Sequence, residues 1–270
     1  MCRILDISRA SYYKWSNRGE TDKDRTDWEI SQIIIEYDLA FNHILGYRRM
    51  TTWINHFNGT NYNVKRIRRL MKKLGISSVI RRRKSKYIKS KPEITAENIL
   101  NRKFTATKPN EKWLTDVTEF KVVGQSRKVY LSAIIDLYDK SIVEYQLSNR
   151  NDNSLVFKNF DKAIALNLEA HPTVHSDRGY QYTSKKFKKK LDDISATQSM
   201  SRVGKCIDNG PCEGFWGILK SEMYYLHKFY DEEELRKAIV DYITFYNTKR
   251  LHGAINSVPS DFRKLALKSA

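Results

Sequence analysis

A chain of 270 residues has room for one large core and a smaller module, and its 49 Lys and Arg against 31 Asp and Glu, a formal +18, suit a polyanionic partner. Three cysteines, Cys2, Cys206 and Cys212, share no CxxC spacing and so point to neither a disulfide framework nor a zinc knuckle. No run of about 18 apolar residues offers a membrane-crossing helix, so the expected setting is a reduced, cytoplasmic one with no membrane partner.

The charge is uneven: residues 1–110 hold 24 basic and 10 acidic side chains, residues 111–270 hold 25 and 21. Residues 1–23 contain ILDISRASYYKW, which reads as the end of a helix-turn-helix met in mid-motif, with Ser8 as an N-cap. Residues 24–91 read as a helical, basic DNA-binding domain. Its first helix carries Ile30, Ile33, Ile34 and Tyr37 at helical spacing, and its second carries Met50, Trp53, Ile54 and Phe57. Asn63 caps a third, with Val64, Ile67, Leu70, Met71 and Leu74 as its apolar stripe and Gly75 as its stop. The opposite face is Lys65, Arg66, Arg68, Arg69, Lys72 and Lys73, and it runs on into Arg81, Arg82 and Arg83. No acid occurs from Leu39 to Pro92, and an unbalanced basic face repels itself without a partner. Arg66, Arg69, Lys73 and the three arginines of the arm are therefore the expected DNA contacts, double-stranded DNA being favoured over membrane because no lipidation motif is present.

Residues 92–111 read as a linker bounded by Pro92 and Pro109. At Trp113 the pattern changes to strands, WLTDVTEFKVV, VYLSAIIDLY and SIVEYQLS, an antiparallel meander. A helix from Asn153 to Leu168, a strand TVHSD, a basic helix from Ser184 to Leu191 and a last strand ISATQSM follow. A helix entered through Asp208, Asn209, Gly210 and Pro211, and another from Asp231 to Tyr246, complete residues 112–270. The expected fold is α/β, a five-stranded sheet with flanking helices behind a small all-α domain.

Three acids stand out. Asp116 lies in an apolar strand, where a carboxylate needs a partner or a cation. Asp177 follows a strand end, where open α/β sheets place ligands. Glu213 opens a helix whose same face carries Lys220 two turns on. Oxygen donors without Cys or His favour Mg²⁺ or Mn²⁺ over Zn²⁺. Asn209 reads as a cap that also supports the site, His175 as packed, and Glu119 and Asp136 as structural acids near it.

WLTDVTEF, HSDRGYQYTS, the 35 residues between Asp177 and Glu213, SMSRVGKCIDNGPCEGFWGILKSE and FYNTKRLHGAINSVPSDF together resemble the DDE transposases of the IS3 family of insertion sequences, in their second-frame (OrfB) proteins. The resemblance covers nearly the whole chain, departing at Gly210, Pro211 and Cys212, where Ala is usual after Asn209, and at Gly214. It implies a ribonuclease-H-like, integrase-related catalytic core, with Asp116, Asp177 and Glu213 as catalytic metal ligands and Lys220 as a phosphate contact. Two Mg²⁺ ions, with Mn²⁺ as a substitute, would serve cleavage at the element's ends and strand transfer into target DNA. The implied partners are end and target duplexes, further copies of the chain on DNA, and an upstream-frame (OrfA) protein, the fully active species being a longer frameshift fusion. The expected setting is the bacterial nucleoid. A metal-dependent nuclease without strand transfer and a DNA-binding regulator of transposition stay open as alternatives.

Overall fold

The computed structural model describes residues 2–4, 6–80, 96–202 and 206–268, without the side chains of Cys206 and Ile207. The chain divides into two compact units, Met1–Arg81 and Arg82–Ala270.

In the first unit, helix α1 (Arg9–Ser16) is capped by Ser8, whose Oγ accepts from Ser11 N, but it buries none of its residues. Helix α2 (Asp22–Ala40) opens with a capping box between Thr21 and Asp24. Helix α3 (Tyr47–Asn58) ends at Gly59, and α4 (Val64–Lys73) begins where Asn63 Oδ1 accepts from Lys65 N. Gly75, at φ 71°, ends the run as its sequence position foretells. Ile30, Ile34, Met50, Trp53, Ile54, Ile67, Leu70 and Met71 are buried between α2, α3 and α4. Each contributes roughly 1.5–3 kcal/mol where it is large and fully covered. Val64 and Phe57, expected in the apolar stripes, are exposed because they sit at helix ends beyond the reach of the neighbouring helices.

In the second unit, β1 (Lys112–Lys121), β2 (Lys128–Asp136) and β3 (Ile142–Ser148) form the expected antiparallel meander. Helix α5 (Asn153–Ala165), strand β4 (Thr173–Ser176), helix α6 (Lys185–Asp193) and strand β5 (Thr197–Met200) follow, and β4 and β5 run parallel to β1. The strand order is β3-β2-β1-β4-β5. Alternation along β1 sends Trp113 to one face and Leu114 to the other. Trp113 packs with Phe160 of α5 and Phe187 and Leu191 of α6. Leu114 and Phe120 pack with Phe215 and Leu219 of α7 (Gly210–Glu222) and with Leu235, Ile239 and Ile243 of α8 (Glu232–Thr248).

Two features differ from the sequence reading. A last helix, α9 (Pro259–Lys268), adds to the expected elements and is anchored by Arg263. That side chain donates to Asp139 Oδ2 at 2.9 Å and Asn110 Oδ1 at 2.7 Å, and lies 3.3 Å from Asp136 Oδ2. The segment read as a linker is also more than a tether. Leu100 is buried in the core and its N–H donates to Ser199 Oγ, while Asn98 and Arg102 both donate to buried Asp208. Among the described residues no helix is long and apolar enough to cross a membrane.

Candidate active site and nucleic-acid interface

Parallel pairing of β1 with β4 sets Thr115 opposite Ser176, so the next residues along lie side by side, Asp116 still within β1 and Asp177 just past the end of β4. Neighbouring strands lie about 4.8 Å apart, which makes the two carboxylates close neighbours by register alone. Asp177 Oδ1 accepts from Gly179 N at 2.8 Å. Asp116 Oδ1 accepts from Val117 N at 2.8 Å, and its Oδ2 accepts from Trp216 Nε1 at 2.9 Å. Trp216 lies three residues after Glu213 in α7 and shares its face, so the indole that reaches Asp116 brings Glu213 to the same end of the sheet.

The three acids share one field. Burial, then the charge of Asp177 and that of Glu213, push Asp116 up to about 7, against the downward pull of the Trp216 and Val117 hydrogen bonds. Asp116 keeps some exposed surface, yet burial is the largest of these effects. Burial also raises Asp177 and Glu213. Buried Cys212, between them in sequence, has its thiol pushed well up by burial and by all three carboxylates. Tyr182, fully buried with its hydroxyl 3.2 Å from Thr115 Oγ1, is raised by burial and by Asp116 and Asp177. Neither neighbour is expected from sequence; Cys212 packs on the Leu114 face of the sheet and Tyr182 on the Trp113 face.

Among the described residues, no three of His, Cys, Asp and Glu stand together at metal-ligand spacing. Chemically the acids nonetheless fit a hard dication: the donors are all carboxylate oxygens, each resists ionisation without a counter-charge, and a cation reverses that cost. Glu213 is exposed and accepts no hydrogen bond from the described residues, so its side chain is free to turn toward the other two.

Lys220, two turns beyond Glu213, is half-buried with its ammonium 5.2 Å from the centre of the Phe120 ring. Burial lowers it, and Glu119 and Asp116 draw it back up. His175 is packed as expected, between Ser199 Oγ at 2.9 Å and Ser201 Oγ at 3.2 Å, and burial takes it down to about 4. Glu119 is on the outer face, paired with Lys128 at 2.8 Å. Asp136 is structural, as expected, but it stands opposite Trp113 in the ladder, three residues from the Asp116 position, within the Arg263 cluster and not in the site.

The expected cap is not formed. Asn209 makes no side-chain cap hydrogen bond, and its Oδ1 is buried without a partner. Asp208 is turned away from α7 because Arg202 and Arg102 hold its fully buried carboxylate at 2.8 and 2.7 Å and keep it far below the usual carboxylate range. A short 3-10 turn, Cys206–Asn209, leads into α7 instead, and Pro211 lies in the first turn as anticipated.

On α4 part of the basic face is met by an acid from another helix. Asp27 of α2 accepts from Arg66 Nε at 2.8 Å and from Arg69 Nη2 at 2.5 Å. Its burial is outweighed by these two arginines, so its carboxyl sits below its ordinary value. Arg68 lies 5.2 Å from the Tyr47 ring centre, and Lys65, Lys72 and Lys73 are exposed. A search for acids within α4 alone could not find Asp27, which comes from 39 residues upstream of Arg66. Arg81, Arg82 and Arg83 lie outside the described residues.

Residues 106–206 and 213–267 match two models described as integrase core domain, and residues 26–84 match an HTH-like domain. The chain is 42% identical to the InsK protein of insertion sequence element IS150 of Escherichia coli K12, over 93% of this chain and 87% of that protein. It is 27% identical to the transposase InsF for insertion sequence IS3A of the same organism, over 93% of this chain and 88% of that one. In fold it is similar to a simian T-cell lymphotropic virus intasome chain, with a TM-score of 0.51 and 17% identity over 85% of this chain and 74% of that chain.

Proposed function

This chain belongs to the IS3 family of insertion-sequence transposases, DDE-type polynucleotidyl transferases, and from that premise we propose that Asp116, Asp177 and Glu213 are its catalytic acids. The observation that carries the assignment is the convergence of three elements: the β1–β4 register pairs the two aspartates, and the Trp216 bond to Asp116 latches the helix that bears Glu213 beside them. Mg²⁺, or Mn²⁺ in its place, held as a pair of ions by these carboxylates, would supply Lewis acidity for in-line attack of water or a DNA 3′-hydroxyl on a phosphodiester.

The chain's own residues prepare that chemistry. Trp216 Nε1 and Val117 N fix the orientation of the Asp116 carboxylate, and Gly179 N fixes that of Asp177. Buried Tyr182 and Cys212 add to the low-dielectric surroundings of the acids. Lys220, partly desolvated, offers its charge to the phosphodiester backbone near the scissile end. Asn209 keeps an unused amide oxygen at the start of the same helix, which supports a role in ordering the site. The cations of α4, Arg66, Arg69 and Lys73 among them, and those of the arm at Arg81, Arg82 and Arg83 bind the duplex. The family premise further supports copies of the chain acting together on DNA and an upstream-frame partner.

A strand-transfer assay with duplexes carrying the element's ends tests the reading. Glu213→Gln is expected to abolish metal-dependent cleavage with DNA binding and folding intact, and Glu119→Gln to retain cleavage. Cleavage surviving in Glu213→Gln, or abolished equally in Glu119→Gln, would overturn the ligand set. Joined products identify a transposase, whereas hydrolysed ends alone would favour a nuclease.

A further inference from the structure

The expected picture of α4 is a row of equivalent cations, but the structure separates them into two kinds. Lys65, Lys72 and Lys73 are exposed, on flexible stems. Arg66 and Arg69 are one helical turn apart and share a single carboxylate, Asp27, whose side chain is 14% exposed while theirs remain 29% and 53% exposed. The acid is thus inside and the guanidinium groups look out. Arg66 spends only its Nε on Asp27 and Arg69 only its Nη2. The remaining N–H donors of both forks are left to a ligand.

Those donors border a surface cleft of about 570 Å³ lined by Asp22, Lys23, Thr26, Lys65, Arg66 and Arg69. Four cations meet two carboxylates there, Asp22 and Asp27, so the cleft keeps an excess of positive charge. Arg66 is steadied further by the Tyr62 ring, 5.8 Å from its guanidinium carbon. An arginine loses much rotamer freedom when it grips a phosphate, and one already held in place loses less.

We propose that Asp27 is a positioning residue for DNA binding: it holds Arg66 and Arg69 side by side so that both guanidinium groups close on one phosphate of a DNA duplex in the cleft between α2 and α4. This rests on the reading that α4 binds DNA and adds which of its cations grip the phosphate in a fixed geometry. It also reverses the simple electrostatic expectation, under which deleting an acid from a DNA-binding face strengthens binding.

The test uses the full chain and a fluorescent duplex of about 30 base pairs of arbitrary sequence, with anisotropy read across a salt series. Asp27→Asn makes the chain more positive, yet affinity is expected to fall on the order of tenfold, with the salt slope reduced by roughly 0.9 for each phosphate no longer neutralised. The double variant Arg66→Lys with Arg69→Lys keeps Asp27 and every charge but removes the forks, and the same fall is expected. It decides the matter if Asp27→Asn does not fold by circular dichroism. Equal or tighter binding by either variant with an unchanged slope overturns the positioning role. Unaltered affinity and slope in Arg66→Ala with Arg69→Ala also overturn the positioning role, and the broader reading of α4 as the DNA-binding helix fails as well if Lys72→Ala with Lys73→Ala leaves them unaltered too.

Discussion

Trp216 donates its indole N–H to Asp116 Oδ2 at 2.9 Å, which ties the helix carrying Glu213 to the central strand of the sheet. The same bond lowers the cost of ionising Asp116, so one interaction serves both the geometry and the charge of the site.

Trp216→Phe removes the donor and keeps most of the packing. Asp116 then rises further above its present value of about 7, and a larger fraction is protonated at neutral pH. The pH profile of metal-dependent cleavage is expected to move toward alkaline pH, with a decrease of about 1 kcal/mol in unfolding free energy. A pH–rate profile superimposable on that of the parent chain would deny the bond its role.

Metal-free Asp116 titrates at about 7 in the folded chain against 3.8 as its ordinary value. Between the two the folded state keeps a proton that the unfolded state has released, so the stability this group contributes is complete below pH 3.8 and is lost as pH rises through about 7. Asp116→Asn abolishes that titration. In the presence of a chelator, the variant's Tm relative to the parent is expected to climb from about pH 4 to about pH 8, by the equivalent of a few kcal/mol at most. A gap that does not change with pH would contradict the desolvated, like-charge environment described for the acids.

Gly179 sits where a Cβ would meet Gln181 Oε1 at 2.9 Å and Asp177 Oδ1 at 3.0 Å. Gly179→Ala therefore displaces the carboxylate that its own N–H orients. Cleavage is expected to fall about tenfold or more, while unfolding changes by no more than roughly 1–2 kcal/mol, since only flexible side-chain ends must move. Urea denaturation beside single-turnover cleavage separates the two, and full activity in the variant would show that Asp177 needs no such support.

The end of α7 is anchored by Arg250, whose Nη2 and Nε donate to Glu222 at 2.8 and 3.0 Å, with Tyr242 Oη donating to the same carboxylate at 2.9 Å. Both charged partners are buried. Arg250→Ala is expected to cost about 3–5 kcal/mol in urea unfolding, because a buried carboxylate is left without its counter-charge. Arg250→Met combined with Glu222→Leu should recover most of that stability. If the double variant is no more stable than Arg250→Ala, the cost lies in packing and not in the stranded charge.

Short-range physics made much of this molecule legible in its sequence. Asn63 before an apolar stripe and Gly75 after it delimit α4, alternation around Trp113 marks β1, and the isolated Asp116 in an apolar strand announces a site before any neighbour is known. What the tertiary structure alone decided are the pairings between segments far apart in the chain. The register of β1 on β4 sets Asp116 beside Asp177, Asp27 reaches α4 from another helix, and Asp208 leaves the cap position for Arg102 and Arg202. Periodicity fixes which face a residue occupies, but carries no information about which other segment that face will meet. That choice is made by burial and charge balance across the whole fold, and it turned one expected DNA-binding face into two kinds of cation and one expected helix cap into a buried ion cluster.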